Sequence, residues 1–239
     1  MNWQHLSRPS SAGLRLSRAL PLLLACVAGA VDVIGFMSLK LFAAHITGNL
    51  VIVAALLMGG GPPGLDQVLS VPMFILAVAG AWFLATTSRS HGCAIARTLL
   101  VLQLGLLVCV WIFSVIERPD RNPRGLAADI ATLLAISSMA CQYTLLQLAI
   151  PEAPATTVMT GNLARAVLAL LETRSRSNGR PLFRDAERQL RRSFALIVVF
   201  FLGCVAGAGT FIWRGEWAWL LPVVLAAIAV LVCPRAEES

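Results

Sequence analysis

One acidic residue, Asp32, stands well inside an apolar stretch that runs from 19 to 39. A carboxylate at the bilayer centre costs roughly 2.5–3.5 kcal/mol on insertion scales, so an acid kept there has a use. Proton or ion coupling, contact with a polar substrate, and a structural hydrogen bond are the uses open to it. The stretch still inserts, because its Leu, Val, Ile and Phe residues contribute about 0.3–0.6 kcal/mol each and together outweigh a single Asp. On a helix Ala25, Ala28, Gly29, Asp32, Gly35 and Phe36 share one face, small enough to pack on neighbouring helices and shield the carboxylate from lipid.

The tetrapeptide Thr47-Gly48-Asn49-Leu50 recurs as Thr160-Gly161-Asn162-Leu163. Each copy follows a long apolar stretch, opens a short apolar run, and precedes a polar break and two more apolar stretches, which points to an internal duplication. Thr or Asn can cap the free N–H groups of a helix start, while Gly48 and Gly161 permit a tight bend or a close approach. Polar, non-helical backbone at membrane depth survives only when buried in protein or lining a wet cavity. Two such breaks in matching places mark a midplane binding site in secondary transporters. The other reading is that Asn49 and Asn162 cap helices and hydrogen-bond across the bundle.

Arg165, the other charge inside an apolar run, is a candidate partner for Asp32 that would join the two halves, or else its long side chain snorkels to the surface or faces a cavity. His45 is placed to titrate near neutral pH or to serve as a cap or interfacial group. Gly203 and Gly207 form a small-residue face that reads as packing. No catalytic constellation gathers: Ser137 and Ser138 have no neighbouring His, and His5, His45 and His91 lie far apart. HExxH, a P-loop and GxGxxG are absent, so an enzyme, ATP-driven pumping, a metal and an organic cofactor lack support. The cysteines (Cys26, Cys93, Cys109, Cys141, Cys204, Cys233) form no CxxC or Cys/His cluster and read as small hydrophobes.

Elements must hold these side chains, and composition says which kind. Of 239 residues 58% are apolar and 13% charged, and the mean hydropathy is +0.79, against about 25% charged residues in an ordinary soluble domain. The expectation is an all-α, polytopic transmembrane helical bundle. About 20 apolar residues cross the hydrocarbon, which predicts six full spans near 19–39, 69–88, 97–116, 126–150, 194–213 and 217–233. Two short segments, 46–60 and 156–171, each opened by or carrying a Thr-Gly-Asn, are half-helices, re-entrant segments or short tilted spans, giving six to eight crossings. Residues 19–116 form a first membrane repeat, 117–125 a connecting loop and 126–233 a second repeat, with 1–18 and 234–239 as terminal segments. Four crossings per half make the repeats parallel; three plus a re-entrant segment make them inverted.

The net charge of +7 reflects the positive-inside bias rather than nucleic-acid binding, and by the arginine distribution the N-terminus is cytoplasmic under either count. The apolar run after Arg8, Arg15 and Arg18 is too long for a signal-peptide core and reads as an uncleaved first span. Trp213, Trp217 and Trp219 fall where an aromatic belt is expected. The basic connector 172–192 carries Phe183, Ala186 and Leu190, then Phe194, at helical spacing, which suits either an amphipathic surface helix that binds lipid or a cytoplasmic partner, or a solvated loop.

The run Gly29-Ala30-Val31-Asp32-Val33-Ile34-Gly35-Phe36, then Phe42 and His45-Ile46-Thr47-Gly48-Asn49, resembles the opening signature of the YoaK-like family of bacterial integral membrane proteins, a domain of unknown function. Gln142 and Thr156-Thr157-Val158-Met159-Thr160-Gly161-Asn162 are similar to its second signature, with Tyr143 where the family usually has Asn. The resemblance implies an inner-membrane protein and assigns no substrate. The leading expectation is a secondary transporter or permease for a small solute or proton, with Asp32, His45, Thr47, Asn49, Gln142, Thr160, Asn162 and Arg165 along its pathway and Gly29, Gly35, Gly48 and Gly161 as structural glycines. The rival is a non-transporting scaffold or sensor. Oligomeric state is not legible.

Overall fold

The computed structural model describes residues 11–59, 62–87, 93–118, 125–149, 159–174 and 182–233, with backbone alone at 11–18, 93, 172–174 and 182–187. His5, His91, the turn-forming stretch 119–124, residues 156–158 of the second signature and 175–181 of the basic connector lie outside the described residues. The described chain is all-α: α1 Ser11–Leu39, α2 Ile46–Met58, α3 Leu65–Thr87, α4 Cys93–Glu117, α5 Leu126–Ala149, α6 Met159–Arg174, α7 Leu182–Arg214 and α8 Leu220–Val232. A 3-10 turn, Gly215–Trp219, separates α7 from α8. Five apolar stretches are long enough to cross a membrane: Ala19–Leu39, Leu65–Thr87, Ala94–Glu117, Leu126–Ala149 and Arg188–Val232. Gly215, in the left-handed region at φ +57°, helps fold the last of these into two helices.

Two buried apolar clusters reveal how the helices run. Around Trp219 gather the C-terminal half of α1 (Ile34, Leu39), the C-terminal half of α4 (Leu107, Val110), and the N-terminal halves of α5 (Ala128, Ala131) and α8 (Val223). Around Cys233 gather the opposite halves: Leu20 and Leu24 of α1, Ala96 and Leu99 of α4, Leu145 of α5, Ala229 of α8, and Ala81 near the end of α3. Helices α1 and α4 therefore run one way, and α3, α5 and α8 the other. The glycines of α7 show its direction, since Gly203 lies against Cys26 and Gly207 against Ala30, so α7 runs parallel to α1.

Helix α1 ends at the Trp219 end of the bundle and α3 starts there, so α2 leaves and returns on one side. By the same logic α5 ends and α7 starts at the Cys233 end, so α6 returns on the other side. Six helices run from one end of the bundle to the other, and two short ones return to the end they left. In a cysteine-free background, Lys40→Cys, Pro62→Cys and Glu117→Cys are expected to react with a membrane-impermeant maleimide from one face and Thr87→Cys from the other. Labelling of Lys40→Cys and Pro62→Cys from opposite faces would make α2 a crossing helix.

Three expectations are corrected by packing. Trp219 is fully buried rather than part of an aromatic belt, whereas Trp213 and Trp217 are exposed. The indole N–H of Trp219 donates to Glu216 Oε2 at 3.1 Å, and Ser38 Oγ donates to Glu216 Oε1. A polar partner in the core is what lets a Trp be buried whole. Phe36 turns outward at 46% exposure, apart from the buried Ala25, Ala28 and Asp32 with which it shares a helical face. Residues 182–193 are the first turns of α7 rather than a separate helix. The small-residue reading of Gly203 and Gly207 agrees with the structure.

Candidate functional site

Helix α1 stops at Leu39 because Lys40 takes a left-handed conformation, φ +61°, with its ammonium donating to the Met37 carbonyl at 3.1 Å. The next residues turn back along α1. Gly35 makes room for them, since a Cβ there would lie 3.3 Å from the Leu41 carbonyl oxygen. The returning strand of backbone reaches Asp32, seven residues before the helix end and so about 10 Å back along its axis.

Asp32 is 3% exposed and holds this segment with both oxygens. The Ala44 N–H donates to Oδ1 at 2.7 Å, and His45 Nδ1 is hydrogen-bonded to Oδ2. The His45 ring is partly open, its side chain 32% exposed, and its edge meets the Phe200 ring of α7 at 5.5 Å between centroids. The carboxylate is closed to solvent, while the imidazole bonded to it is partly exposed. The pair therefore links a buried acid to a side chain that solvent reaches.

One turn into α2, Asn49 is fully buried and fastens the same segment a second time. Its Nδ2 donates to the Phe42 carbonyl at 2.7 Å, and its Oδ1 accepts from the Phe42 N–H at 2.9 Å. Phe42 stacks on Phe36 with ring centroids 5.1 Å apart, and its ring lies over Gly48, where a Cβ would be 3.1 Å from Cδ2. The first Thr-Gly-Asn thus has a local logic: Gly admits the Phe42 ring and Asn satisfies the Phe42 backbone, so polar backbone survives at depth. Thr47 is exposed, and no side chain caps α2 at His45, so the expected capping role falls to neither Thr47 nor Asn49.

The second copy is built differently in what it touches. Asn162 is fully buried, its Nδ2 3.9 Å from Met159 Sδ, while Thr160 is exposed and Gly161 half-buried. Helix α2 packs on α3 and α6 on α7, so the Thr-Gly-Asn segments do not pack as a pair. Arg165 is exposed on α6, and the partner of Asp32 is His45, not Arg165. The reason is reach: an arginine on an outer helix satisfies its charge at the surface, whereas His45 is carried to Asp32 by the backbone.

Gln142 belongs to another place. Its Nε2 donates to the Leu24 carbonyl at 2.9 Å and its Oε1 accepts from Gln103 Nε2 at 2.8 Å, tying α5 to α1 and α4. Leu24 lies about 12 Å from Asp32 along α1. Gln103 is a polar group the sequence reading missed, as is Asp66, buried at the start of α3. The Asp66 N–H donates to Asp129 Oδ1 at 3.3 Å, and Thr132 Oγ1 donates to Asp66 Oδ2 at 3.4 Å. A carboxylate in the first turn of a helix looks like an ordinary dipole partner in sequence, which hides such a pair. Among the described residues no three His, Cys, Asp or Glu side chains gather as a metal site requires.

No curated protein and no solved structure matches the chain. The family described as "Protein of unknown function (DUF1275)" matches residues 20–232, from the start of the apolar part of α1 to the end of α8. That match takes in the Asp32 segment and both Thr-Gly-Asn copies, and by it the chain belongs to the DUF1275 family.

Proposed function

We propose that this protein is a secondary transporter of the bacterial inner membrane for a small solute, with the Asp32–His45 pair at the tip of a re-entrant segment as its polar centre. The observation that carries the reading is the α1–α2 unit. A stretch of non-helical backbone leaves one end of the bundle, descends to a buried acid and returns to the same end through a short helix. Such discontinuous segments near the midplane are how transporter folds present backbone and charge to cargo.

Packing supports an inverted duplication. Helix α1 packs on α7 as α5 does on α3, α4 on α5 as α8 on α1, and α2 on α3 as α6 on α7. These three pairings thus each have a counterpart with the halves exchanged, and the two returning helices enter from opposite ends. Counting from the Thr-Gly-Asn copies, Leu145 stands opposite Asp32, so a duplicated frame carries its acid in one half alone. The arginine bias puts the N-terminus in the cytoplasm and the Trp219 end outside. Neither catalysis nor a cofactor enters this reading.

The rival reading, a scaffold or sensor, is favoured by one observation: Asn49 spends both ends of its amide on Phe42 rather than on a cargo. Flux separates the two. Proteoliposomes with wild-type protein are expected to take up at least one member of a broad panel of small solutes faster than empty vesicles, and Asp32→Asn is expected to reduce that uptake tenfold or more. Equal flux with and without protein across the panel would leave the scaffold.

A further inference from the structure

At the Trp219 end, away from Asp32, a cavity of about 60 Å³ is lined by Val115, Arg118, Arg214, Gly215, Glu216 and Trp217. We propose that it is a binding site for a phosphate-class oxyanion at the bilayer surface.

Two features of the backbone build it. Helix α4 ends as Arg118 takes a left-handed conformation, φ +47°, with its N–H on the Ser114 carbonyl at 3.0 Å. A side-chain-bearing residue adopts this region at a cost. Helix α7 ends one residue before Gly215, at φ +57°. These two turns bring arginines from separate helix ends to one hollow.

The charges of these arginines are available. Among the described residues neither guanidinium lies within ion-pair distance of a carboxylate, and that of Arg214 stacks 4.0 Å over the Trp213 ring. Glu216 contributes the one acidic wall, but both its oxygens accept hydrogen bonds, from Ser38 and from Trp219. Two planar forks, each able to donate in pairs, match the oxygens of a tetrahedral phosphate. Stacking on an indole orients a guanidinium without neutralising it.

Position selects the source of the phosphate. Trp213 and Trp217 beside the cavity are 75% and 51% exposed, as tryptophans are where hydrocarbon gives way to headgroups. A phosphodiester of an anionic lipid and a free phosphate share the chemistry, and the test distinguishes them.

Purified protein in neutral detergent is titrated with short-chain phosphatidylglycerol and, separately, with inorganic phosphate, and its melting is followed by tryptophan fluorescence. The expected result is a rise of about 2–4 °C at roughly fivefold over Kd, lost in R118Q/R214Q and kept in R97Q at the opposite end. R118K/R214K, which keeps charge but loses the fork, is expected to retain a smaller shift and guards against misfolding of the first variant. A shift with the lipid alone assigns a headgroup, and a shift with both probes assigns a free oxyanion site. No shift with either probe in wild type, or an equal shift in R118Q/R214Q, overturns the proposal.

Discussion

Gly29→Val is expected to abolish folded, monodisperse protein, and Gly29→Ala to destabilise it by about 1–3 kcal/mol or more. In lipid no hydrophobic force drives helices together, so α1 and α7 hold by close contact. A Cβ at Gly29 would fall 2.1 Å from the Phe200 carbonyl oxygen, and one at Gly203 would fall 2.3 Å from that of Cys26. Carbon and oxygen approach to about 3.3 Å, so the two backbones must part by roughly 1 Å over a face that Gly207, against Ala30 and Val33, also closes. No rotamer change relieves a clash with backbone. Gly80, Gly105 and Gly209 have open space at the same distance, and alanine there should be neutral or stabilise by about 0.5–1 kcal/mol through helix propensity. Thermal unfolding in detergent of Gly29→Ala beside Gly209→Ala checks this, and equal melting temperatures would refute the close-contact account.

The second large effect belongs to Asp32. Asp32→Ala removes the acceptor of the Ala44 N–H and the partner of His45 together. Deleting one member of a buried pair costs about 3–5 kcal/mol when the survivor stays buried without compensation. Asp32→Ala leaves the Ala44 N–H without its acceptor but a His45 side chain that solvent still reaches, so its cost falls at the low end of that range. His45→Ala leaves the carboxylate buried and is expected to cost a similar amount, while the double variant costs no more than Asp32→Ala alone. That non-additivity is the signature of direct coupling. Arg165→Gln, on an exposed side chain, should change stability by less than about 0.5 kcal/mol. Asp32→Arg combined with Arg165→Asp should rescue nothing that either single change destroys. Unfolding in mixed micelles gives all of these values, and additive losses for Asp32 and His45 would dissolve the pair.

The two effects bear on function in different ways. Glycine variants remove the platform on which α1 stands against α7, so flux and fold fail together. Asp32→Asn keeps an oxygen for the Ala44 N–H but loses the charge opposite His45, so flux can be lost while the fold survives. A variant that folds and does not transport is the more informative one for the proposed polar centre.

Composition and hydropathy made an all-helical membrane bundle readable from the chain, because apolar length is a local property and the bilayer demands little else. The cost of a carboxylate in an apolar run singled out Asp32, and the motif made Asn49 and Asn162 conspicuous. Other matters were not local. Hydropathy offers Arg165, a cation inside an apolar run, as the partner of Asp32, but the actual partner, His45, arrives on a connector whose reversal at Lys40 has no signal in hydropathy. Likewise the sequence places Trp219 in an aromatic belt, whereas Glu216 satisfies its indole from within the core.

Whether eight helices cross or six is the clearest case. Hydropathy measures how long a segment is, and a thirteen-residue helix of about 20 Å is compatible with a short crossing or a return. The answer lies in which helix ends share a cluster: Leu39 with Ala128 and Trp219, Leu20 with Leu145 and Cys233. Sequence alone determined that this chain lives in a membrane and which polar residues it carries there. Tertiary contact decided which of them meet, since meeting depends on where the chain re-enters the bundle, and that is set by packing between residues far apart in the sequence.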